Sequence, residues 1–372
     1  MIYLDNAATS FPKPRCVISE VNKYVRSRCG NPGRSSHRLA VLAAEEMYLA
    51  REEVANLFGV SDPERVVFTS NATHALNLAI KSQITDFCHV LCSDMEHNSV
   101  IRPLEKLSRD IGIEYSFFSL NGDLRKNLSS ASRDNTEAII CTLASNVTGK
   151  RADLMALTQF ARERGLKLIL DASQLAGHEK IDLTKFPCTA LCAPGHKGLL
   201  GFQGAGFVIF GDGVNGKTLM EGGSGYDSIS RDMPIVLPER YEAGTLPTPS
   251  IVSLRAGIKY INSVGIDNIS LHLDKLVNSC KNALSEIQGV TVYGAENATV
   301  CFSVDGIPSS ELAASLDHLE ICVRSGLHCA PSAHRLMGTL EQGAVRASFS
   351  IMNGRNDGKK LAEGIYKIKK KR

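Results

Sequence analysis

The sequence predicts an α/β fold, with a large domain on a mainly parallel sheet and a smaller α+β domain after it. Over residues 16–250, short apolar runs typical of buried strands alternate with stretches of helical periodicity. Polar residues follow several of these runs directly, and parallel α/β sheets bind their ligands at the carboxyl ends of strands. From residue 251 onward, long helices precede closely spaced strands, which is less typical of a parallel sheet. We therefore predict a large domain over 16–250 and a small domain formed by 1–15 with 251–372.

The composition is that of an ordinary globular protein. Its 372 residues are 43% hydrophobic and 22% charged, which is enough for a large core. The net charge of +3 is small and no basic stripe with interleaved aromatic residues occurs, so we expect no nucleic-acid partner. No apolar run reaches about 18 residues and the first residues lack a basic signal-peptide region, so we expect no membrane association and a cytoplasmic location. The eleven cysteines are irregularly spaced, which favours reduced thiols over a disulfide scaffold.

The elements of the large domain follow from hydrophobic periodicity. A short extended segment at 2–5 precedes residues 6–9, which either approach a ligand closely or form a surface turn. Helices are predicted over 16–28, 39–58, 75–80 and 154–164, and a polar turn with Arg34 and His37 precedes the second of them. The strands of the large sheet are predicted over 65–68, 88–92, 137–143, 166–170, 190–193 and 207–210.

The small domain begins with two long helices. One runs through Ile251 and Ile261, and the next covers 271–287. Strands at 290–293 and 298–304, a helix at 310–316 and a strand at 321–324 follow. The basic end KIKKKR is interpreted as a solvated helix end.

Two polar residues past the ends of apolar runs indicate the chemistry of the large domain. Lys197 lies between glycines in the loop PGHKGLLG, and Asp171 follows the strand at 166–170. A lysine in a glycine-rich loop is by itself most often a surface residue. Paired with a buried carboxylate, it matches the needs of pyridoxal phosphate (PLP), because the lysine binds the aldehyde and the carboxylate keeps the ring nitrogen protonated.

Other strand ends add polar groups near the same edge of the sheet. The segment TSNAT at 69–73 enters a helix whose free N–H groups are suited to a phosphate dianion. A helix cap by Ser70 or Thr73 is a compatible interpretation. His97 is available to stack on a planar cofactor, or else is a hydrogen-bonded loop residue. Asn146 offers a side-chain amide.

Eight segments together resemble the cysteine desulfurases and selenocysteine lyases of the class V aminotransferase group. They are LDNAATS, TSNATHALNLAI, MEHNSVIRPL, ASNVTG, LDASQLAGH, GHKGLLG, YEAGTLPTPS and RSGLHCAP. The resemblance spans nearly the whole chain, and the short RSGLHCAP segment is similar to the group II (SufS-like) branch. It implies fold type I of PLP-dependent transferases, with a mainly parallel seven-stranded sheet, and a homodimer with shared active sites.

The resemblance also implies how the cofactor ring and the substrate are held. Lys197 would be the Schiff-base lysine, Asp171 the partner of the pyridine nitrogen, and Gln174 a donor to the ring hydroxyl. His97 would stack on the ring and assist proton transfer. Asn146 would lie near the ring hydroxyl and the substrate carboxylate.

For the cofactor phosphate, the resemblance implies contacts from the backbone at Ala72 and from Thr73 and His196. Thr245, in EAGT, would reach the phosphate of the neighbouring subunit. Ala72 stands where a threonine is frequent, and Pro194 stands where a serine is frequent. Because each missing hydroxyl removes a hydrogen bond of roughly 1–3 kcal/mol, these departures affect cofactor affinity rather than chemistry.

Cys329 is the predicted nucleophile. It lies on an irregular loop between His328 and Pro331, where a thiol can be exposed and where a neighbouring imidazole can raise its thiolate fraction. Leu327 replaces a histidine found in many relatives. Apolar, strand-like runs contain most of the other cysteines: Cys88, Cys92, Cys141, Cys192, Cys301 and Cys322. Because the pairs at 88/92 and 188/192 lie in or beside such runs, we expect no metal site.

An arginine is expected to bind the α-carboxylate of the substrate. Arg346 is a lone arginine in a half-apolar run, and the resemblance places the carboxylate-binding arginine at this motif. The alternative is a strand-edge arginine that faces water. Arg324 is a second candidate.

These parts predict a PLP-dependent desulfurase that converts L-cysteine to L-alanine and leaves a persulfide on Cys329. A selenocysteine lyase would use every residue named above. A PLP transaminase, epimerase or β-lyase would leave Cys329 unused. The chain could instead serve chiefly as a scaffold that delivers sulfur to a carrier protein. The sequence does not identify the acceptor of the sulfur.

Overall fold

The computed structural model describes residues 1–33 and 36–371. Arg34, expected on a polar turn, and Arg372, at the end of the basic tail, lie outside the described residues. Within the described parts of the chain, no helix has both the length and the apolar character needed to cross a membrane.

A seven-stranded sheet forms the centre of the large domain. The chain begins with β1 (Ile2–Tyr3), outside this sheet, whose own strands are β2 (Val66–Thr69), β3 (His89–Ser93), β4 (Glu114–Phe118), β5 (Thr136–Thr142), β6 (Lys167–Asp171), β7 (Ala190–Pro194) and β8 (Gly206–Phe210). Their spatial order is β2-β8-β7-β6-β5-β3-β4, and among these strands only β8 runs in the opposite direction to the others. The predicted α/β class with a mainly parallel sheet is therefore confirmed.

Helices cover both faces of this sheet. The helices before and between its strands are α1 (Arg15–Ser27), α2 (Arg38–Leu57), α3 (Ala72–Gln83), α4 (Asn98–Ile111), α5 (Leu124–Ala131) and α6 (Leu154–Arg164). Strand residues alternate between two cores, as a period of two requires. Ile139 belongs to the core that continues into the small domain, whereas Ala138 and Ile140 belong to the core beneath α3 and α4.

The strand β4 and the helices α4 and α5 were not among the predicted elements. β4 is an edge strand, and four of its five residues are partly or fully exposed. It therefore lacks the continuous apolar run by which the buried strands are recognised.

The C-terminal part contains a second, antiparallel sheet. Its elements are α7 (Thr248–Val264), α8 (Ile266–Ser285), β9 (Val290–Glu296), β10 (Thr299–Val304), α9 (Ser309–Asp317), β11 (Ile321–Cys322), β12 (Arg324–Gly326), α10 (Pro331–Leu336), β13 (Ala344–Ser348) and α11 (Asp357–Lys370). The sheet order is β12-β13-β10-β9, and β1 pairs with β11. The sheets thus occupy separate sequence ranges, while the domain boundaries at 16–250 and 251–372 stay a prediction.

The N-terminal segment connects the two sheets. The Leu4 N–H donates to the Cys322 carbonyl, and the Ser348 N–H donates to the Leu4 carbonyl, so this segment lies against the small sheet. A few residues later the Ser10 N–H donates to the His196 carbonyl, at the end of β7. The segment therefore connects the small sheet with the loop after β7, and backbone hydrogen bonds hold it at both places.

Candidate active site

A cavity of about 110 Å³ lies at the carboxyl ends of β2, β3, β5, β6 and β7, and we call it the sheet-edge cavity. Parallel α/β sheets bind ligands at this edge, because the loops that leave neighbouring strands converge there. Eight of the nine residues predicted to bind the cofactor line it: Ala72, Thr73, His97, Asn146, Asp171, Gln174, His196 and Lys197.

Lys197 and Asp171 meet in this cavity from neighbouring strands. Asp171 ends β6 and is only 3% exposed, and its Oδ1 accepts from the Ser173 N–H at 2.8 Å. Burial lowers the pKa of Lys197 to about 8, Arg346 and Arg324 act in the same direction, and Asp171 opposes them. The site thus contains an amine that is easier to deprotonate than an ordinary lysine, opposite a buried carboxylate.

His97 is held in one orientation by the start of α4, which it caps. Its Nδ1 accepts from the Ser99 N–H at 3.0 Å, and the Ser99 hydroxyl lies 2.9 Å from the same nitrogen. The Ser99 hydroxyl is in turn 2.8 Å from the Thr73 hydroxyl. Because Nδ1 is an acceptor, the proton of the neutral imidazole is on Nε2. Burial lowers the pKa of His97, while Asp171 opposes the shift.

The start of α3 forms the part of the cavity suited to an anion. Asn71 caps this helix by accepting from the His74 N–H at 2.9 Å, so the alternative interpretation of a cap by Ser70 or Thr73 is wrong. Asn71 has the short amide side chain that favours this position. Gly206 permits the cap to lie close to β8, since a Cβ there would be 2.6 Å from the Asn71 backbone.

His196 adds an unsatisfied polar atom to the same cavity. Its Nδ1 is buried without a hydrogen-bond partner among the described residues. Burial lowers the pKa of His196 to about 4, with Lys197 and Lys13 contributing. Its imidazole is therefore neutral and can donate one hydrogen bond to a bound anion without adding a positive charge.

The N-terminal segment holds the backbone beside Lys197. The His196 carbonyl accepts from the Ser10 N–H at 3.1 Å, from the Thr9 hydroxyl at 3.2 Å and from Lys13 Nζ at 2.9 Å. Burial lowers the pKa of Lys13 to about 8. Gln174 Nε2 donates to the Ala7 carbonyl at 3.1 Å. Of the two interpretations of residues 6–9, close approach to the site therefore describes the structure, and a surface turn does not.

Arg346 is buried beside the cavity. The residue is 2% exposed, so the alternative of a strand-edge arginine in water is wrong. Its Nη2 donates to Asp5 Oδ1 at 2.7 Å and its Nη1 to the Asn146 carbonyl at 2.8 Å, while its Nε has no partner among the described residues. Arg324 lies opposite Arg346 on the neighbouring strand. Two arginines are thus cross-strand neighbours beside the cavity, and one Arg346 donor is unsatisfied among the described residues.

Cys329 lies on the turn formed by residues 327–330, between β12 and α10, which we call the Cys329 loop. Its thiol is exposed, whereas burial raises the pKa of Cys92, Cys141 and Cys192 well above the ordinary thiol value. The Cys329 carbonyl accepts from the Asn98 N–H at 2.8 Å, next to His97. The loop is therefore anchored to the wall of the sheet-edge cavity.

The imidazole next to Cys329 is buried and is held by hydrogen bonds of its own. His328 is 4% exposed, and its ring lies within hydrogen-bond distance of His334 and of the Arg324 carbonyl. Burial lowers the pKa of His328 to about 3, and Arg346 adds to the shift. The ring is neutral at physiological pH, so it provides no cation to stabilise a thiolate.

Thr245 lies apart from the other predicted cofactor residues. It is exposed and lines a different cavity, of about 240 Å³, together with Arg51 and Glu242. We call this the Thr245 cavity. Within one chain, the structure therefore does not bring Thr245 to the sheet-edge cavity.

Several residues of the site were missed from sequence: Asp5, Lys13, Glu96 and Ser99. Glu96 Oε1 accepts from the Ser93 hydroxyl at 2.5 Å and from the Thr142 N–H, and its Oε2 is unpartnered among the described residues. Its position directly before His97, at the end of an apolar strand, is the signal that could have found it. No group of three or more His, Cys, Asp or Glu side chains suited to a metal occurs in the described ranges.

Comparisons with known proteins agree with this geometry. The family model for class-V aminotransferases matches residues 2–361. A probable cysteine desulfurase from Pyrococcus abyssi is 32% identical, with 95% of this chain and 90% of the relative covered. A second, from Halalkalibacterium halodurans, is 30% identical, with 99% and 93% covered. Among solved structures, the apo cysteine desulfurase from Thermococcus onnurineus NA1 superposes with a TM-score of 0.92 at 27% identity, covering 100% of this chain and 95% of that one.

Proposed function

This chain belongs to the class-V aminotransferase family, and from that premise we propose that it is a cysteine desulfurase acting on L-cysteine. The products are L-alanine and a persulfide on Cys329, whose outer sulfur passes to an acceptor. The supporting observation is the meeting of Lys197 and Asp171 in a cavity to whose wall the exposed Cys329 is anchored. The short Cys329 loop, four residues between β12 and α10, favours the group II (SufS-like) branch.

The cysteine desulfurases are PLP-dependent enzymes, and the cavity residues fit this cofactor. Lys197 would hold it covalently, Asp171 would face the pyridine nitrogen and Gln174 the ring hydroxyl. The N–H groups at Ala72 and Thr73, with His196, suit its phosphate, and the unsatisfied His196 Nδ1 supports this assignment. Bound there, PLP supplies an electron-accepting ring that stabilises negative charge at the substrate Cα.

The chain's own residues orient the substrate. The guanidinium of Arg346, with its unpartnered Nε, binds the α-carboxylate, and the side-chain amide of Asn146, which lines the cavity, is assigned a supporting contact. Arg324 adds positive charge from the neighbouring strand. Because the Arg346 side chain is buried, little water competes for these contacts.

Proton transfer and sulfur transfer use different side chains. Lys197 Nζ, whose pKa burial lowers to about 8, removes the α-proton, and His97, whose neutral ring carries its proton on Nε2, assists the transfer. Cys329 Sγ then bonds to the substrate sulfur as the Cβ–S bond breaks and leaves its electron pair on carbon. Protonation of that carbon and of Cα yields alanine.

We place Thr245 in a homodimer, at the phosphate of the neighbouring subunit. Two observations support a partner there: Thr245 is exposed and lies outside the sheet-edge cavity, and the preceding segment exposes large apolar side chains. These are Met220, Tyr226, Ile229, Ile235 and Val236, of which Ile229 is 95% exposed.

The test compares Cys329→Ser with the wild type and with Cys16→Ser as a matched exposed-cysteine control. Each purified holoenzyme is incubated with L-cysteine, and alanine is measured together with the mass of the Cys329 peptide. We expect the wild type and C16S to form alanine and to gain one sulfur on that peptide. C329S should keep the cofactor absorbance and lose alanine formation. Alanine formation at the wild-type rate by C329S would exclude the nucleophile.

The same assay separates the other reactions. A transaminase or β-lyase would form a keto acid or pyruvate instead of alanine. A selenocysteine lyase would process L-selenocysteine much faster than L-cysteine. An epimerase would yield D-cysteine with no loss of sulfur.

A further inference from the structure

A buried hydrogen-bonded series of side chains lies behind the Cys329 loop. His334 Nε2 is 3.1 Å from His328 Nδ1, and His334 Nδ1 is 2.8 Å from the Thr339 hydroxyl. At the other end, His328 Nε2 is 3.2 Å from the Arg324 carbonyl oxygen. His334 and Thr339 are completely buried, and the two imidazoles stack with their centroids 5.3 Å apart.

The direction of these hydrogen bonds follows from chemistry. A carbonyl oxygen only accepts, so His328 Nε2 carries a proton and His328 Nδ1 is an acceptor. His334 Nε2 must therefore donate to it, and His334 Nδ1 accepts from the Thr339 hydroxyl. The series runs in one direction, from Thr339 to the Arg324 carbonyl, only while both rings are neutral.

The surroundings keep both rings neutral. Burial lowers the pKa of His328 to about 3, and the positive charges of Arg346 and Arg324 lower it further. Burial also lowers the pKa of His334, while a hydrogen bond to the Thr339 backbone acts in the opposite direction. Both shifts favour the neutral rings that the series requires.

The backbone of the Cys329 loop, in front of this series, has an uncommon conformation. His328 and Cys329 have φ values of +52° and +57°, in the left-handed region that residues with a side chain rarely occupy. Such conformations persist where neighbouring contacts determine them. Here Asn146 Nδ2 donates to the His328 carbonyl at 2.7 Å, and the Asn98 N–H donates to the Cys329 carbonyl at 2.8 Å. The His328 ring adds a third contact, to the Arg324 carbonyl.

We propose that His334 is a positioning residue for Cys329, which acts through the His328 ring to hold the thiol's loop in its left-handed conformation. The proposal rests on the sulfur-accepting role proposed for Cys329. Without the donor at His334 Nε2, the His328 ring loses its orientation and releases the Arg324 carbonyl. The thiol then samples positions from which it does not reach the substrate sulfur.

The experiment compares the holoenzyme variants His334→Leu and His334→Gln. Leucine fills similar volume without a donor, whereas the glutamine amide places a donor near the position of Nε2. We expect H334L to lower kcat for alanine formation by about tenfold or more, since misplacement of a reacting group costs rate rather than binding, with KM for cysteine nearly unchanged. H334Q should recover most of the lost kcat.

A second measurement separates positioning from general loss of structure. Iodoacetamide labelling, read by peptide mass spectrometry, gives the reactivity of Cys329 relative to the exposed Cys16 and Cys29 in the same molecule. We expect Cys329 in H334L to be alkylated faster while turnover falls, with cofactor absorbance unchanged. Thr339→Val leaves both rings in place. It should lower kcat and speed the alkylation of Cys329, each by less than H334L does.

Each outcome decides the proposal. Wild-type kcat and wild-type Cys329 labelling in H334L would overturn it, as would equal losses in H334Q and H334L with unchanged labelling. If H334L does not fold, His334→Asn replaces it, because its shorter amide does not extend to the Nε2 position. If the wild type forms no alanine from cysteine, the proposed function fails, and the labelling comparison still tests the loop.

Discussion

Glu96 is a buried carboxyl that lies beside the site without lining the sheet-edge cavity. It is completely buried, directly before His97, and the negative charge of Asp171 acts on it. Burial raises the pKa of Glu96 to about 8, and the repulsion from Asp171 adds to the shift, while the Ser93 and Thr142 donors oppose it. Glu96 is therefore mostly neutral at pH 7, which limits the negative charge close to Asp171.

This shift predicts how stability depends on pH. A carboxyl whose pKa is raised in the folded state binds its proton more tightly there, so its contribution is complete below about pH 4.5 and is lost as pH rises through about 8. We expect the free energy of unfolding of the wild type to fall between pH 5 and 8.5 by about 3 kcal/mol more than that of Glu96→Gln. Urea denaturation at several pH values measures the difference.

The control for this measurement is Glu20→Gln, which removes an exposed carboxyl from α1. E20Q should reproduce the pH dependence of the wild type. Parallel curves for the wild type and E96Q would show that Glu96 is ionised throughout the range and that its burial is offset by an interaction not described above.

At the scale of elements, helix α3 contains Ala72, which stands where the cysteine desulfurases frequently have a threonine. Ala72 is the first residue of this helix, lines the sheet-edge cavity and follows the Asn71 cap. A hydroxyl at this position would add a donor to the N–H groups of the helix start. Within one chain, its absence leaves Thr73 and His196 as the side-chain donors predicted for the phosphate.

Restoring the hydroxyl should tighten cofactor binding. We expect Ala72→Thr to lower the Kd of the apoprotein for PLP by about tenfold, the worth of one charge-assisted hydrogen bond. Fluorescence titration of the apoprotein with PLP measures this Kd. Ala72→Val is the matched control, because valine has the shape of threonine without the hydroxyl. A Kd lowered equally by A72V would attribute the effect to packing.

The buried strands were predictable because each is a continuous apolar run, and such a run is visible in the local sequence. β6 and β7 are almost wholly buried apolar runs, so these strands were located from sequence, together with Asp171 at the end of β6 and Lys197 in the loop after β7. β4 was missed because an edge strand keeps half its side chains in water. The Asn71 cap was assigned to neighbours, since several capping residues are adjacent in TSNAT.

The contacts between distant elements were not predictable in the same way. Lys13 reaches the His196 carbonyl across 183 positions, and no periodicity records that contact. His334 lies only six positions from His328, yet their pairing depends on the turn of α10. The left-handed backbone at His328 and Cys329 also has no glycine to mark it. Identifying these residues required the fold itself.

At the scale of the whole molecule, the residues predicted to bind the cofactor are divided between two cavities. The sheet-edge cavity contains eight of the predicted cofactor residues, while the Thr245 cavity contains the ninth. A monomer cannot use all nine at one site unless the chain rearranges. In the proposed homodimer, each subunit completes the phosphate contacts of the other, so activity becomes a property of the pair.

This arrangement predicts complementation between two defective subunits. Lys197→Ala removes the covalent hold on the cofactor, and we expect Thr245→Val to weaken PLP binding about tenfold or more by removing one charge-assisted hydrogen bond. In a heterodimer of K197A with T245V, the site built on the T245V subunit retains Lys197 and receives Thr245 from the other subunit. We therefore expect one site per heterodimer with wild-type PLP affinity and about half the wild-type activity.

Differently tagged subunits, purified as the mixed dimer, allow PLP titration and alanine formation to be measured on the same sample. A dimer of wild type with K197A gives half activity under either arrangement and calibrates the measurement. If Thr245 acted within its own chain, the T245V subunit would lack the contact and the K197A subunit would lack the lysine. No site of wild-type affinity would then form in the mixed dimer, so the number of tight PLP sites, one or none, determines which subunit supplies Thr245.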